Sequence, residues 1–401
     1  MSPVALDALD AADAERDRLA RVALGSLFEP GDPRLDSLLA GMSAVELYGE
    51  LQRAEPCSAG SSPAGSPRAG GVRGDVAARL GEVRPDRILE DADRQGIRFV
   101  VPSDPEWPTQ VDDLAGLEPV QERGGVPLGL WVRGPLRLDR LARSVASVGS
   151  RSATTYGLEC AGQIAAGVAA EGFVVVSGGA IGIDAASHRG ALAGRGATVA
   201  VLACGLDRLY PAQNTRLLLS VLDQGALVSE LAPGLPVTRM RFLGRNRLIA
   251  ALTRGTVLVQ AAPRSGALNT ANWAHRLNRL LMCVPGPISE ITSLGVLEQV
   301  RQGRGVIVTR GAEVLELIAR PGEHLVTERR GPAKPRDRLS ARHRQVLDAV
   351  PVGRAASPAS IARVAGVAIQ DVATALLYLE RHHLVERTAE GWRLTPGTEL
   401  S

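Results

Sequence analysis

The stretch FVVVSGGAIGIDAASHRGAL, residues 173–192, reads as one unit of an α/β protein. Phe173–Val176 is a continuous apolar run without polar alternation, the pattern of a strand buried on both faces. Gly178, Gly179 and Gly182 make a turn free of bulky side chains, and a helix opens at about Ile183. The same alternation recurs outward from this unit. SVASVG (144–149) precedes it, while TVAVLACG (198–205), ALVSEL (226–231), TVLVQAA (256–262) and LLMCVPG (280–286) follow. GVIVT (305–309) then leads into a short closing helix, AEVLELIA. Short apolar runs alternating with amphipathic helices predict an α/β domain with a parallel sheet over residues 96–320.

Residues 1–95 have a different rhythm. Leu19, Val22, Ala23 and Leu27, then Leu35, Leu38, Leu39, Val45 and Leu47, fall at helical spacing around the breaker EPGDPR (29–34). They predict an N-terminal helical module of the SAM/HhH-like kind. Its Pro-, Gly- and Ser-rich stretch 56–74 reads as a flexible insertion, and a helix is expected at about 76–95 before a short strand in GIRFVV. Residues 321–338 read as a linker. Residues 339–401 pattern as three helices and a hairpin, a winged-helix-like domain, with Ser357 as the N-cap of the second helix and Pro358 at its first position.

Composition narrows the function classes. The chain has 401 residues, 45% hydrophobic and 22% charged, with a net charge of +3, which permits nucleic acid as a partner without demanding it. Aromatic residues are only 3%, so phosphate contacts must outweigh rows of stacking platforms. Lys334 is the only lysine, and the basic charge is therefore carried by arginine, whose planar fork suits bidentate phosphate contacts. Cys57, Cys160, Cys204 and Cys283 are scattered without metal-ligand spacing and read as free thiols; no metal site is expected. The acidic N-terminus is unlike a signal peptide, and no apolar run approaches a membrane span, so a cytoplasmic location without membrane attachment is expected.

Five segments carry candidate chemistry. SVGSRSATTYG (147–157) presents Gly149, Ser150 and Arg151 between a strand and a helix N-terminus, a position suited to an anion. In the second loop, Gly178, Gly179 and Gly182 would let a phosphate approach the backbone, but they form GGxxG and not a dinucleotide fingerprint. No GxxxxGK[ST] occurs either, so no nucleotide cofactor is expected. Asp184 and His188, at i and i+4, are the one pair with catalytic potential, although a carboxylate in a first turn is also what the helix dipole favours. GLDRLYPAQN (205–214) offers Arg208 and Tyr210 as secondary candidates. In TRMRFLGRNRLIAALT (238–253), Arg239, Arg241, Arg245 and Arg247 surround Asn246, a crowding that requires solvent or an anion. RSGALNT (264–270) adds Ser265 and Gly266.

Taken in order, these segments resemble the DNA-processing protein A (DprA/Smf) family over roughly residues 97–320. SVGSRSATTYG is similar to its VGxRxxxxYG loop, VSGGAIGIDAASHRGAL to SGxAxGIDxxAHxGAL, and GLDRLYPAQN to GxDxxYPxxN. The Arg-Asn-Arg segment, the RSGALNT turn and VPGPI complete the series. Leu243, Gln260, Ala267, Asn269 and Ser187 depart from the pattern. The resemblance implies an extended Rossmann-like fold and a homodimer that binds single-stranded DNA without sequence preference and loads RecA recombinase during natural transformation. It also implies a basic DNA pocket containing Arg151 and Gly179, with Arg245 and Arg247 as further contacts, and no catalysis.

Two rival readings make different demands. A nucleotide-hydrolysing enzyme of the lysine-decarboxylase-like type requires a PGGxGTxxE segment, where this chain has PRSGALNT. A transcription regulator requires a basic recognition helix, whereas the third C-terminal helix exposes Gln370, Asp371, Thr374, Glu380 and Arg381.

Overall fold

The apolar runs become strands of a single nine-stranded sheet, which also includes Leu130–Arg133, a strand the sequence reading did not single out. The computed structural model describes residues 3–53, 76, 79–326 and 335–396. The strands are β1 (Ile97–Val100), β2 (Leu130–Arg133), β3 (Ser144–Val148), β4 (Val174–Ser177), β5 (Thr198–Val201), β6 (Ala226–Ser229), β7 (Gly255–Leu258), β8 (Leu280–Cys283) and β9 (Val306–Ile307), in the order β1-β2-β6-β5-β4-β3-β7-β8-β9. From β6 to β9 every pairing is parallel, while β2 runs antiparallel to both β6 and β1. Successive residues bury into opposite layers: Val174 and Val176 join one core cluster, and Val175 joins the other. That two-sided burial is why these runs are apolar throughout.

The chain steps outward from β3 through β4, β5 and β6, then returns to the other side of β3 to lay down β7. This reversal opens a crevice beyond the carboxyl ends of β3 and β7, where open α/β sheets receive ligands. The N-terminal helices are α1 (Pro3–Leu27), α2 (Pro33–Leu39), α3 (Ala44–Arg53) and α4 (Pro85–Asp93). The helices associated with the sheet are α5 (Thr155–Ala170), α6 (Ile183–Ala193), α7 (Thr215–Gln224), α8 (Arg239–Ala251), α9 (Ala267–Arg276), α10 (Ile291–Arg301) and α11 (Gly311–Ile318). The helix expected over 76–95 is interrupted at 81–84, because Pro85 restrains the residue before it and starts a fresh helix. The insertion 56–74, and Cys57 with it, lies outside the described residues.

The N-terminal helices pack onto the sheet within one compact unit, Met1–Val326. Val22 of α1 shares a core cluster with Ile97, Phe99 and Trp131, and Arg18 is paired with Asp104 at 2.8 Å. The breaker after α1 reaches furthest. Glu29 accepts two hydrogen bonds from Arg241, at 2.9 and 2.7 Å, and Gly31 accepts one from the Gly124 amide at 3.0 Å.

Arg247, expected at a DNA surface, is instead wholly buried. Its two terminal nitrogens donate to Glu230, each at 2.7 Å, and its Nε donates to the carbonyls of Gly124 (3.1 Å) and Gly125 (3.0 Å). A guanidinium already satisfied by a carboxylate and carbonyls has no donor to offer a phosphate.

The second unit, Thr327–Ser401, contains α12 (Ala341–Ala349), α13 (Pro358–Ala365), α14 (Ile369–Arg381) and a hairpin of β10 (Val385–Thr388) and β11 (Gly391–Leu394). Ser357 caps α13 by accepting from the Ser360 amide at 3.3 Å, with Pro358 in the first turn. Val346, Val372, Leu376, Leu379 and Trp392 form its own core.

Because breaking a buried ion pair strands its partner, Glu230→Ala is expected to cost about 3–5 kcal/mol of unfolding free energy in a denaturant titration of the full chain. A loss below about 1 kcal/mol would show that Arg247 is not held by this pair.

Candidate nucleic-acid interface

A groove of about 1000 Å³ occupies the crevice beyond β3 and β7. The loop after β3 forms one wall. Ser150 donates its amide to the Gln260 carbonyl at 2.7 Å and returns its own carbonyl to the Ile183 amide at 3.2 Å. Thr154 caps α5 by accepting from the Gly157 amide at 3.2 Å. Gln260, which stands where the family resemblance favours glutamate, ties this wall to the strand side. Its Oε1 accepts from the Thr154 amide at 3.0 Å while its Nε2 donates to Thr154 Oγ1 at 2.9 Å. A carboxylate could not make the second bond. The loop is therefore rigid, and Arg151 projects from it exposed.

The second loop works differently from the sequence expectation. Its glycines admit protein, not phosphate. A Cβ on Gly178 would fall 1.4 Å from Arg245 Nη1, and one on Gly182, at φ +83°, would fall 2.3 Å from the Ser150 carbonyl oxygen. Gly179 is likewise backed by Leu202 and Leu218 at 3.2 and 3.3 Å. These residues let the first loop and Arg245 pack against the turn, and it is Ala180 and Asp184 that reach the groove.

Arg245 lies almost wholly buried in the floor and donates from Nη1 to the Val201 carbonyl at 3.2 Å. Burial pulls its pKa down to about 10, an effect opposed by Asp184 and reinforced by Arg151. Burial pushes the Asp184 carboxyl upward, against the pull of Arg245 and of the Gly178 and Ala180 amides, which donate to it at 3.2 and 3.4 Å. Asp184 thus pins the loop and partly offsets Arg245. The His188 ring hydrogen-bonds elsewhere, to Thr198. Thr198 Oγ1 donates to the Val175 carbonyl at 2.7 Å, so its lone pair accepts from His188 Nδ1 at 2.7 Å. The i,i+4 pair singled out in the sequence is divided between the site and the core.

Of the four arginines around Asn246, two are neutralised by carboxylates of the protein, Arg241 by Glu29 and Arg247 by Glu230. Arg239 is exposed at the rim, facing the groove with Arg151 and Arg264. These three form no ion pair among the described residues. Asn246 donates from Nδ2 to the Gly266 carbonyl at 3.3 Å, bringing Ser265 and Gly266 to the opposite wall.

Sequence reasoning missed Phe242. Its ring lies 4.8 Å from the Arg151 guanidinium carbon and 5.8 Å from that of Arg245. The available signal was its spacing, three residues after Arg239 and three before Arg245, which turns all three toward one side of α8. Arg208 and Tyr210 do not line the groove. Arg208 is exposed beside Asp207, and the exposed Tyr210 ring lies 6.1 Å from Phe242, just outside.

The comparison with known families decides the affiliation of this architecture. The model described as DNA recombination-mediator protein A matches residues 98–319, more than half of the chain. The chain belongs to that family. A DNA processing protein DprA of Mycobacterium tuberculosis is 42% identical over 334 residues, covering 82% of this chain and 85% of its own. The Protein Smf of Synechocystis is 32% identical over 61% of this chain and 60% of its own. Among solved structures, DNA processing protein A from Streptococcus pneumoniae aligns with a TM-score of 0.54 and 30% identity, covering 62% of this chain and 84% of that one. The matched span contains every residue that lines the groove, while the N-terminal loop that braces α8 lies outside it.

The buried imidazole gives a pH signature. Desolvation, with the charges of Arg245 and Arg189, lowers the His188 pKa from 6.5 to about 3. The unfolded chain binds this proton and the folded one does not. The stabilisation is full above about pH 6.5 and is lost toward pH 3, at about 1.4 kcal/mol per unit. Between pH 7 and 5 the wild type is expected to lose about 2 kcal/mol more than His188→Gln in chemical unfolding. Identical pH slopes would contradict a neutral, buried His188.

Proposed function

We propose that the groove binds single-stranded DNA without sequence preference and carries out no chemistry on it. The observation that carries this reading is the Phe242 ring beside the Arg151 and Arg245 guanidiniums, 4.8 and 5.8 Å from its centre, inside a concave groove rimmed by exposed Arg239 and Arg264. An aromatic face accepts any unstacked base, and guanidiniums accept any phosphate. A duplex, with its bases stacked internally, offers no face to the ring. The absence of catalysis is supported by Asp184 spending its lone pairs on loop amides and by His188 turning into the core. No cofactor role is assigned to the groove, since the spaced glycines of the second loop have protein atoms where a Cβ would stand.

The family and the names of its DNA-processing relatives support a place in the handling of incoming DNA during transformation. On this reading the protein acts in the cytoplasm as a homodimer that protects single strands and loads RecA. No single helix among the described residues is long and apolar enough to cross a membrane. The edge strand β9, with exposed Val306 and Ile307, supplies a surface suited to a second copy. Two grooves on one strand would raise the effective concentration of each.

Binding measured against salt tests the groove. Affinity for oligothymidylate should exceed that for duplex and fall steeply with salt, and Arg151→Ala should reduce the log–log slope by about 0.7 with unfolding unchanged. Tight, salt-insensitive binding to one duplex sequence would refute the assignment.

Loading is tested separately. The protein is expected to restore RecA ATPase on DNA coated with single-strand-binding protein, and Arg151→Ala to lose that stimulation. Normal DNA binding with no stimulation of the cognate RecA would remove loading while leaving the groove intact.

A further inference from the structure

A second cavity, of about 480 Å³, lies beside the groove, walled by Pro263, Leu268, Leu294 and Leu297. Arg264 and Leu268 line both cavities, so the two are continuous across a shared wall. Arg264 stands at that saddle in the left-handed region, φ +65°, which non-glycine residues seldom adopt. Beyond it the apolar surface reaches solvent: Leu294 is 40% exposed and Ile291, one helical turn earlier on α10, is 64% exposed. The surroundings are basic. Arg264 and Arg304 are exposed, while Arg301 and Glu298 offset each other through two hydrogen bonds at 2.7 and 2.6 Å.

An aliphatic hollow edged by arginine suits an amphiphile whose repeating units carry one flat apolar face and one negative charge. A nucleotide is such a unit, and the adjoining groove is already read as holding a strand of them. Resting on that reading, we infer that the strand leaves the groove over Arg264 and that the hollow takes bases of the same strand, their phosphates staying on the arginine edge. Base faces lie on Pro263, Leu268 and Leu294 without edge recognition, so the extension is as tolerant of sequence as Phe242. The hollow also lengthens the footprint on the side of the groove away from Tyr210.

The test is the dependence of affinity on length, using the full chain and oligothymidylates from roughly 4 to roughly 16 nucleotides. Wild-type affinity should rise in two stages, the second as the strand outgrows the groove. Leu294→Glu, which places a carboxylate in the hollow, should abolish the second stage, weakening the longest oligomer roughly tenfold and leaving the shortest unchanged. Leu294→Gln, without the added charge, should lose the second stage partially. Arg151→Ala, by contrast, should weaken every length. The inference is overturned if Leu294→Glu keeps the wild-type length dependence, as a hollow reserved for a protein partner would require. It is equally overturned if all lengths weaken together with unchanged thermal unfolding. Failure of the wild type to bind any length would instead refute the reading of the groove itself.

Discussion

The ion pair between Arg247 and Glu230 is the constraint on which the site depends. Helix α8 forms the back of the groove, and a helix carrying four arginines in nine residues would repel itself away from the sheet if all four were left to solvent. Glu230, just beyond the end of β6, removes one charge by a bidentate bond inside the protein. Glu29 removes another from the N-terminal side, with the Pro30 carbonyl packed close against Gly244 between them. The helix is thereby clamped from behind by two carboxylates. Only then can Arg239 stand free at the rim and Arg245 lie in the floor, positive and unmatched by a contacting carboxylate.

This division of labour explains what the sequence disclosed and what it concealed. The central strands were legible because burial on both faces leaves room only for apolar side chains and small hydroxyls such as Ser177 and Thr198, and the loops were legible because each follows such a run. The crevice was legible for the same reason. The roles of the individual arginines were not. Arg245 and Arg247 are two residues apart and look alike in the sequence, yet one faces the groove and the other is sealed. What separates them is Glu230, 17 residues earlier, and the carbonyls of Gly124 and Gly125, more than a hundred residues away. No local pattern reports such a partner.

The glycines repeat the lesson in steric form. Spaced glycines between a strand and a helix have two physical uses, admitting a ligand or admitting a neighbouring segment, and spacing alone does not distinguish them. Here the space beside Gly178 holds the Arg245 guanidinium and that beside Gly182 holds the backbone of the Arg151 loop. The turn therefore contributes by bringing two basic elements together, and its effect on an anion is indirect. Phe242 escaped notice for a related reason: an aromatic within a helix reads as core until the guanidiniums beside its ring are seen.

The chemistry of the groove follows from its donors being guanidiniums instead of ammonium groups. Arginine is planar and weakly hydrated, so Arg151 can lie over Phe242 and keep in-plane donors for a phosphate, which a lysine ammonium cannot do. A base entering beside that ring meets a surface already flat and partly desolvated, at little further ordering cost. None of these contacts distinguishes one base from another, because the ring reads a π-face and the forks read oxygen. On the proposed reading, the same geometry would hold a strand while leaving its base edges unread and available for pairing with a complementary strand.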